Sequence, residues 1–143
     1  MSSRFLASLY STLFATILAW PSGAVAGSFA YVSLDGENKI VVHAVNGSDG
    51  TLSRTSETEL EGSAGPLCVS PDRRFLFASV RSAGKLAAFR ISPSDGSLSL
   101  INVVPAGVNP AYVATDRTGR HLLTAYYTEG KITSHAIDKK GRI

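Results

Sequence analysis

Cysteine is almost absent. Cys68 stands alone among 143 residues, so no internal disulfide can form. A fold made by this chain therefore rests on packing and hydrogen bonding. No basic stripe and no aromatic-lined basic groove is present, because the 14 Lys and Arg are interspersed with 11 Asp and Glu. That pattern lacks the footprint of nucleic-acid binding, and the net charge of +3 says little about partners. Low-complexity tracts are missing too, and 44% hydrophobic with 17% charged residues is the composition of a globular domain. His43, His121 and His135 have no metal-ligand spacing. The glycine-rich turns precede β-rich runs rather than helices, so no phosphate-cradling loop is indicated. Neither a metal nor a cofactor is expected.

Only one long apolar run exists, Phe5 to Trp20. A short positive start, Met1 to Arg4, precedes it. Pro21-Ser22-Gly23 breaks it, and Ala24-Val25-Ala26 supplies small residues for cleavage. These features read as a secretory signal over residues 1–26, with a mature chain from about Gly27. The run is short for a membrane span; its retention as an uncleaved anchor is the alternative. Export implies a secreted or periplasmic protein, with no stable membrane span after cleavage. Cys68, between Leu67 and Val69 in a β-rich stretch, reads as a small core filler, since no base is placed near it.

What the chain does have is a repeat. Lys39-Ile40, Lys85-Leu86 and Lys131-Ile132 recur at a spacing of 46 residues, as do Asp49-Gly50 and Asp95-Gly96. The stretch from Gly65 to Leu98 reads as one complete unit of four strands joined by tight turns. A four-stranded unit repeating every 40 to 50 residues or so signals a β-propeller blade. The fold class is therefore all-β, an incomplete propeller of about two and a half antiparallel blades. The expected strands are Phe29 to Leu34, Ile40 to Val45, Leu52 to Leu60, Leu67 to Ser70, Phe75 to Val80 and Leu86 to Ile91. They continue with Leu98 to Val104, Tyr112 to Thr115, His121 to Tyr127 and Ile132 to Ile137. The first unit lacks an innermost strand. Because propellers close with about four or more blades, residues 27–143 are expected to be the N-terminal part of a longer domain.

The segments PLCVSPDRRFLFASVR (Pro66 to Arg81), LAAFRISPSDGSL (Leu86 to Leu98) and NPAYVATDRTGRHLLTAYY (Asn109 to Tyr127) carry a family resemblance. Together they resemble the seven-bladed propeller form of 6-phosphogluconolactonase, the lactonase family. FAYVSLDGENKIVVHAV is similar to that family's opening strands. The resemblance implies a seven-bladed propeller that hydrolyses or forms a small-molecule lactone without a metal or other cofactor. Carboxy-muconate lactonising enzymes belong to the same family. It also implies that the histidine, arginine and glutamate side chains doing the chemistry lie mostly in later blades, so the 143-residue chain alone is expected to lack activity. Several members have histidine two places after the blade-opening proline; here, after Pro110, that place is Tyr112.

Meander geometry narrows the site residues independently. Connections alternate between the two faces of the disc, and the face opposite the Asp-Gly hairpins collects Leu67, Tyr112, Asp35, Arg81 and Tyr127. Lactone hydrolysis needs a donor for the carbonyl oxygen and a base to activate water. Arg81 suits the first role, or grips a substrate phosphate or carboxylate through its planar fork. Asp35 is the candidate base or a partner for Arg81. Tyr112 and Tyr127 are candidate substrate contacts or channel-wall packing. Ser82-Ala83-Gly84-Lys85 has the form SxxK, but it sits in a hairpin loop rather than at a helix start. A non-catalytic extracytoplasmic propeller binding a polysaccharide or a protein is the competing reading.

Overall fold

The computed structural model describes residues 27–143; the signal assigned to residues 1–26 lies outside the described residues. Ten strands form three antiparallel sheets: β1 (Ser28–Leu34), β2 (Lys39–Val45) and β3 (Leu52–Glu59); β4 (Ala64–Val69), β5 (Phe75–Val80), β6 (Lys85–Ile91) and β7 (Leu98–Pro105); β8 (Pro110–Thr115), β9 (His121–Tyr126) and β10 (Lys131–Ala136). Each sheet is a meander in chain order. The Lys-aliphatic signature opens β2, β6 and β10, so the repeat marks the same strand in every blade. Among the described residues no helix is long and apolar enough to cross a membrane.

The blades stack side by side, and the middle one explains its own sequence. On β5, Leu76, Ala78 and Val80 face the first sheet and pack in one cluster with Ile40, Ala87 and Phe89. Phe75 and Phe77 face the third sheet and pack with Leu86, Ala88, Val113 and Leu122. A strand buried on both faces must be apolar throughout, which is why FLFASV and LAAF show no alternation. The third sheet packs on one face only: Leu122, Thr124 and Tyr126 are buried, while Leu123 and the neighbouring Tyr112 and Ile132 are exposed. Tyr31 ties the first blade to the second by donating its hydroxyl to the Gly96 carbonyl at 3.0 Å.

Each turn aspartate accepts backbone N–H groups. Asp72 accepts from Arg74, Asp116 from Arg120 and His121, and Asp138 from Lys140 and Arg142. Such Asx turns substitute for a missing backbone partner and set the reversal.

The innermost strands differ from the sequence expectation. β4 starts at Ala64 rather than Leu67, and β8 at Pro110 rather than Tyr112. In both, the pairing register slips near the proline, between Ala64 and Leu67 and between Pro110 and Tyr112. Proline has no N–H to give the ladder, so the strand bulges and resumes one step displaced.

Cys68 packs against the cluster between the second and third blades. Burial pushes its thiol up to about 12, with a hydrogen bond involving the Thr115 backbone acting the other way. The unfolded chain loses that proton near pH 8.5 or so. The raised folded pKa thus stabilises the fold less as pH climbs from there toward 12. At pH 8 alkylation by iodoacetamide is expected to be at least about tenfold slower in the native chain than in urea. Equal rates would show that Cys68 is not a packed thiol.

Candidate functional site

On the face opposite the Asp-Gly hairpins, four connections meet around a cleft of about 890 Å³. Asp35 reaches it from the β1–β2 turn, Ser63 from before β4, Arg81 to Gly84 from the β5–β6 turn, and Pro105 to Asn109 from the β7–β8 connection. The last two are pressed together. Both Ala106 and Gly107 donate their N–H to the Gly84 carbonyl, at 2.9 and 3.3 Å. A Cβ on Gly84 would lie 2.7 Å from the Gly107 carbonyl oxygen, and its φ is +60°. Glycine is required there on both counts.

Arg81 is the most constrained side chain of this cleft. Its N–H donates to the Ser63 carbonyl at 2.9 Å, and its Nε donates to Asn109 Oδ1 at 2.9 Å. Its aliphatic stem lies where a Cβ of Gly65 would be, 2.5 Å from Cγ and 2.8 Å from Cδ. Asn109 adopts the left-handed conformation, φ 51°, which asparagine tolerates better than most residues. Nε is thus occupied. Among the described residues no acceptor takes the terminal amino groups of Arg81.

The neighbouring lysines are occupied by carboxylates. Lys85 meets Glu61 at 2.8 Å, Lys39 meets Glu37 at 2.8 Å, and Lys131 meets Glu129 at 3.0 Å. Hydrogen bonds from Lys85 and Lys39 hold Glu61 and Glu37 below the ordinary carboxylate range. These pairs are exposed and worth little to stability. Their consequence is selective: of the cations at this end, Arg81 keeps donors for a ligand.

The predicted residues divide into two groups. Asp35 and Arg81 line one cleft but form no ion pair with each other. Tyr112 and Tyr127 do not line it; Tyr112 lies on the exposed side of the third sheet and Tyr127 in the turn after β9, 62% and 89% exposed. His43, His121 and His135 sit on β2, β9 and β10, and His135 Nε2 is 2.9 Å from the Thr133 hydroxyl. Sequence reasoning missed Gly65 and Asn109, which seat Arg81. The available signal was that each immediately precedes a proline, Pro66 and Pro110, at the entry to an innermost strand.

Three consecutive antiparallel meanders stacked about one side, with a cleft holding Arg81 and Asn109 where their innermost strands begin, define a β-propeller. The chain belongs to the lactonase family: the family model described as "Lactonase, 7-bladed beta-propeller" matches residues 61–143. It is similar to the 6-phosphogluconolactonase of Enterobacter sp. (strain 638), 35% identical over 86 residues, which is 60% of this chain and 26% of that protein. The 6-phosphogluconolactonase of Cronobacter sakazakii is 36% identical over 84 residues, 59% of this chain and 25% of that protein. Among solved structures, the periplasmic gluconolactonase of Pseudomonas aeruginosa is 26% identical, with a TM-score of 0.75, covering 83% of this chain and 35% of that one. The chain spans about a quarter of the length of the curated relatives it matches.

Proposed function

We propose that this chain provides the Arg81 wall of the substrate cleft in an exported sugar-lactone hydrolase. The observation that carries the reading is the seating of Arg81. Its stem lies on Gly65, its Nε is given to Asn109, and its terminal amino groups are left to a ligand in the cleft. A guanidinium so fixed donates two parallel hydrogen bonds to a carboxylate, or holds a carbonyl oxygen as negative charge builds on it. In the hydrolysis, water oxygen bonds to the lactone carbonyl carbon and the ring C–O bond breaks. The water proton passes through a base to the released alkoxide, giving the hydroxy acid. Asp35, exposed on the same cleft, is the carboxylate assigned to that transfer; Tyr112 and Tyr127 are not assigned to this cleft.

Two lines support export and an unphosphorylated lactone as substrate. Residues 1–26 have the pattern of a secretory signal, and the similar Pseudomonas protein is a periplasmic gluconolactonase. A phosphorylated gluconolactone is a cytosolic metabolite, so an exported enzyme would meet the unphosphorylated sugar lactone.

Calorimetric titration with gluconate, the hydrolysis product, tests the reading. Arg81→Lys keeps the charge and removes the planar fork, and is expected to weaken gluconate binding about 10- to 100-fold. Unchanged affinity in that variant, or no binding by the parent chain, would remove Arg81 from the site.

A further inference from the structure

The cations look scattered along the sequence, yet the fold sorts them by face. The β4–β5 and β8–β9 turns carry Arg73, Arg74, Arg117 and Arg120; the hairpin ends of β6 and β10 carry Arg90, Lys139, Lys140 and Arg142. All eight are exposed on the face opposite the Arg81 cleft. Five aspartates share that face, Asp49, Asp72, Asp95, Asp116 and Asp138, which leaves three positive charges in excess.

How the two signs are held matters more than the count. The aspartates are committed to their turns: Asp49 and Asp95 accept from the Thr51 and Ser97 N–H groups at 2.9 and 3.1 Å. Asp72, Asp116 and Asp138 do the same in their own reversals. Among the described residues only Arg74 of the eight cations pairs with a carboxylate, Asp72, at 2.7 Å. On the other face Lys39, Lys85 and Lys131 are all paired. Seven of the eight cations on the turn face therefore keep their charged ends free of any carboxylate, beside aspartates whose oxygens are already taken by turn N–H groups.

These cations also converge. Two adjoining clefts share Asp72 and Arg74; one, about 600 Å³, adds Arg120 and Lys139, and the other, about 750 Å³, adds Arg73 and Arg90. Arg74 and Arg90 are braced on the same ring, their guanidinium carbons 5.0 and 5.2 Å from the Phe75 centroid. Arginines held in this way present their forks to phosphate oxygens with little further loss of freedom.

We propose that this turn face docks on an anionic lipid surface through its headgroup phosphates. The large exposed apolar residues all lie outside the turn segments 46–51, 70–74, 92–97, 116–120 and 138–142. The turn tips carry no aromatic side chain to stack on a carbohydrate ring; Phe29, Tyr31 and Phe75 only line the cleft walls behind them. Turn tips spread across neighbouring blades, each bearing arginine or lysine, instead match a planar array of phosphates, where each basic residue adds to the attraction.

The test is co-sedimentation of the full chain with phosphatidylcholine vesicles, with and without phosphatidylglycerol; the difference between the two removes any contribution from the apolar residues 5–20. Binding to the anionic vesicles is expected to exceed that to neutral ones, and to fall at least about tenfold when salt is raised from 0.05 to 0.5 M. The quadruple variant Arg73→Gln, Arg117→Gln, Arg120→Gln, Lys139→Gln is expected to lose at least about tenfold in partitioning with an unchanged melting temperature. Lys85→Gln with Lys131→Gln, on the opposite face, is expected to bind as the parent does. Equal partitioning of the quadruple variant, equal binding to neutral vesicles, or retention on an acidic polysaccharide without vesicle binding would each overturn the proposal.

Discussion

Phe77→Ala is expected to cost about 3–5 kcal/mol of folding stability. Phe77 is 0% exposed and sits in the cluster joining the second and third blades, against Leu86, Val113 and Leu122. Its truncation removes a ring from water-excluded space on the seam between two sheets that share no hydrogen-bonded strand. With no disulfide available, that seam is held by side-chain packing. A domain's whole stability is about 5–15 kcal/mol, so the loss approaches the scale of unfolding. Urea denaturation should show a lower midpoint with an unchanged slope. Tyr127→Ala, at a position 89% exposed, is the control and is expected to change stability by no more than about 0.5 kcal/mol. If the two substitutions behaved alike, packing between blades would not be what holds this structure.

Gly65→Ala is expected to damage stability and ligand binding together. A Cβ there overlaps the Ser79 hydroxyl and comes 2.5 Å from Arg81 Cγ. Overpacking of this kind costs about 1–3 kcal/mol, and it pushes Arg81 off the Asn109 oxygen. The two effects separate in a second variant. Ser79 Oγ is buried without a hydrogen-bond partner, so Ser79→Ala alone should be close to neutral. Combined with Gly65→Ala it removes the hydroxyl overlap but leaves the clash with the arginine stem. Stability should then partly recover in chemical denaturation, while gluconate affinity stays at least about tenfold down, the loss expected for misplaced charged hydrogen bonds. Wild-type affinity in Gly65→Ala would mean that the seat of Arg81 has nothing to do with binding.

Some of this was legible beforehand because a propeller blade is a local object. Strands pair with their chain neighbours, so the Lys-aliphatic signature at Lys39, Lys85 and Lys131 and the Asp-Gly hairpins suffice to locate three sheets and their order. The strand ends that are off by more than one residue fall at Pro66 and Pro110. A proline reads as a boundary in one dimension, whereas the fold absorbs it as a bulge inside the innermost strand.

The amino-acid order alone determined the blade period, the strand roster, the lactonase resemblance and the placing of Asp35 and Arg81 at one end of the meanders. Only the tertiary structure decided that Asn109 and Gly65 hold Arg81, that Tyr112 and Tyr127 stand outside its cleft, and that the unpaired cations gather on the opposite face. The physical reason is range. Hydrogen bonds within a blade link residues near in sequence, whereas Arg81 and Asn109, 28 positions apart, meet through the packing of one sheet on the next. Which cations stay unpaired is decided in the same way, because it depends on the side chains that folding brings beside each one, as with Lys85 and Glu61, 24 positions apart.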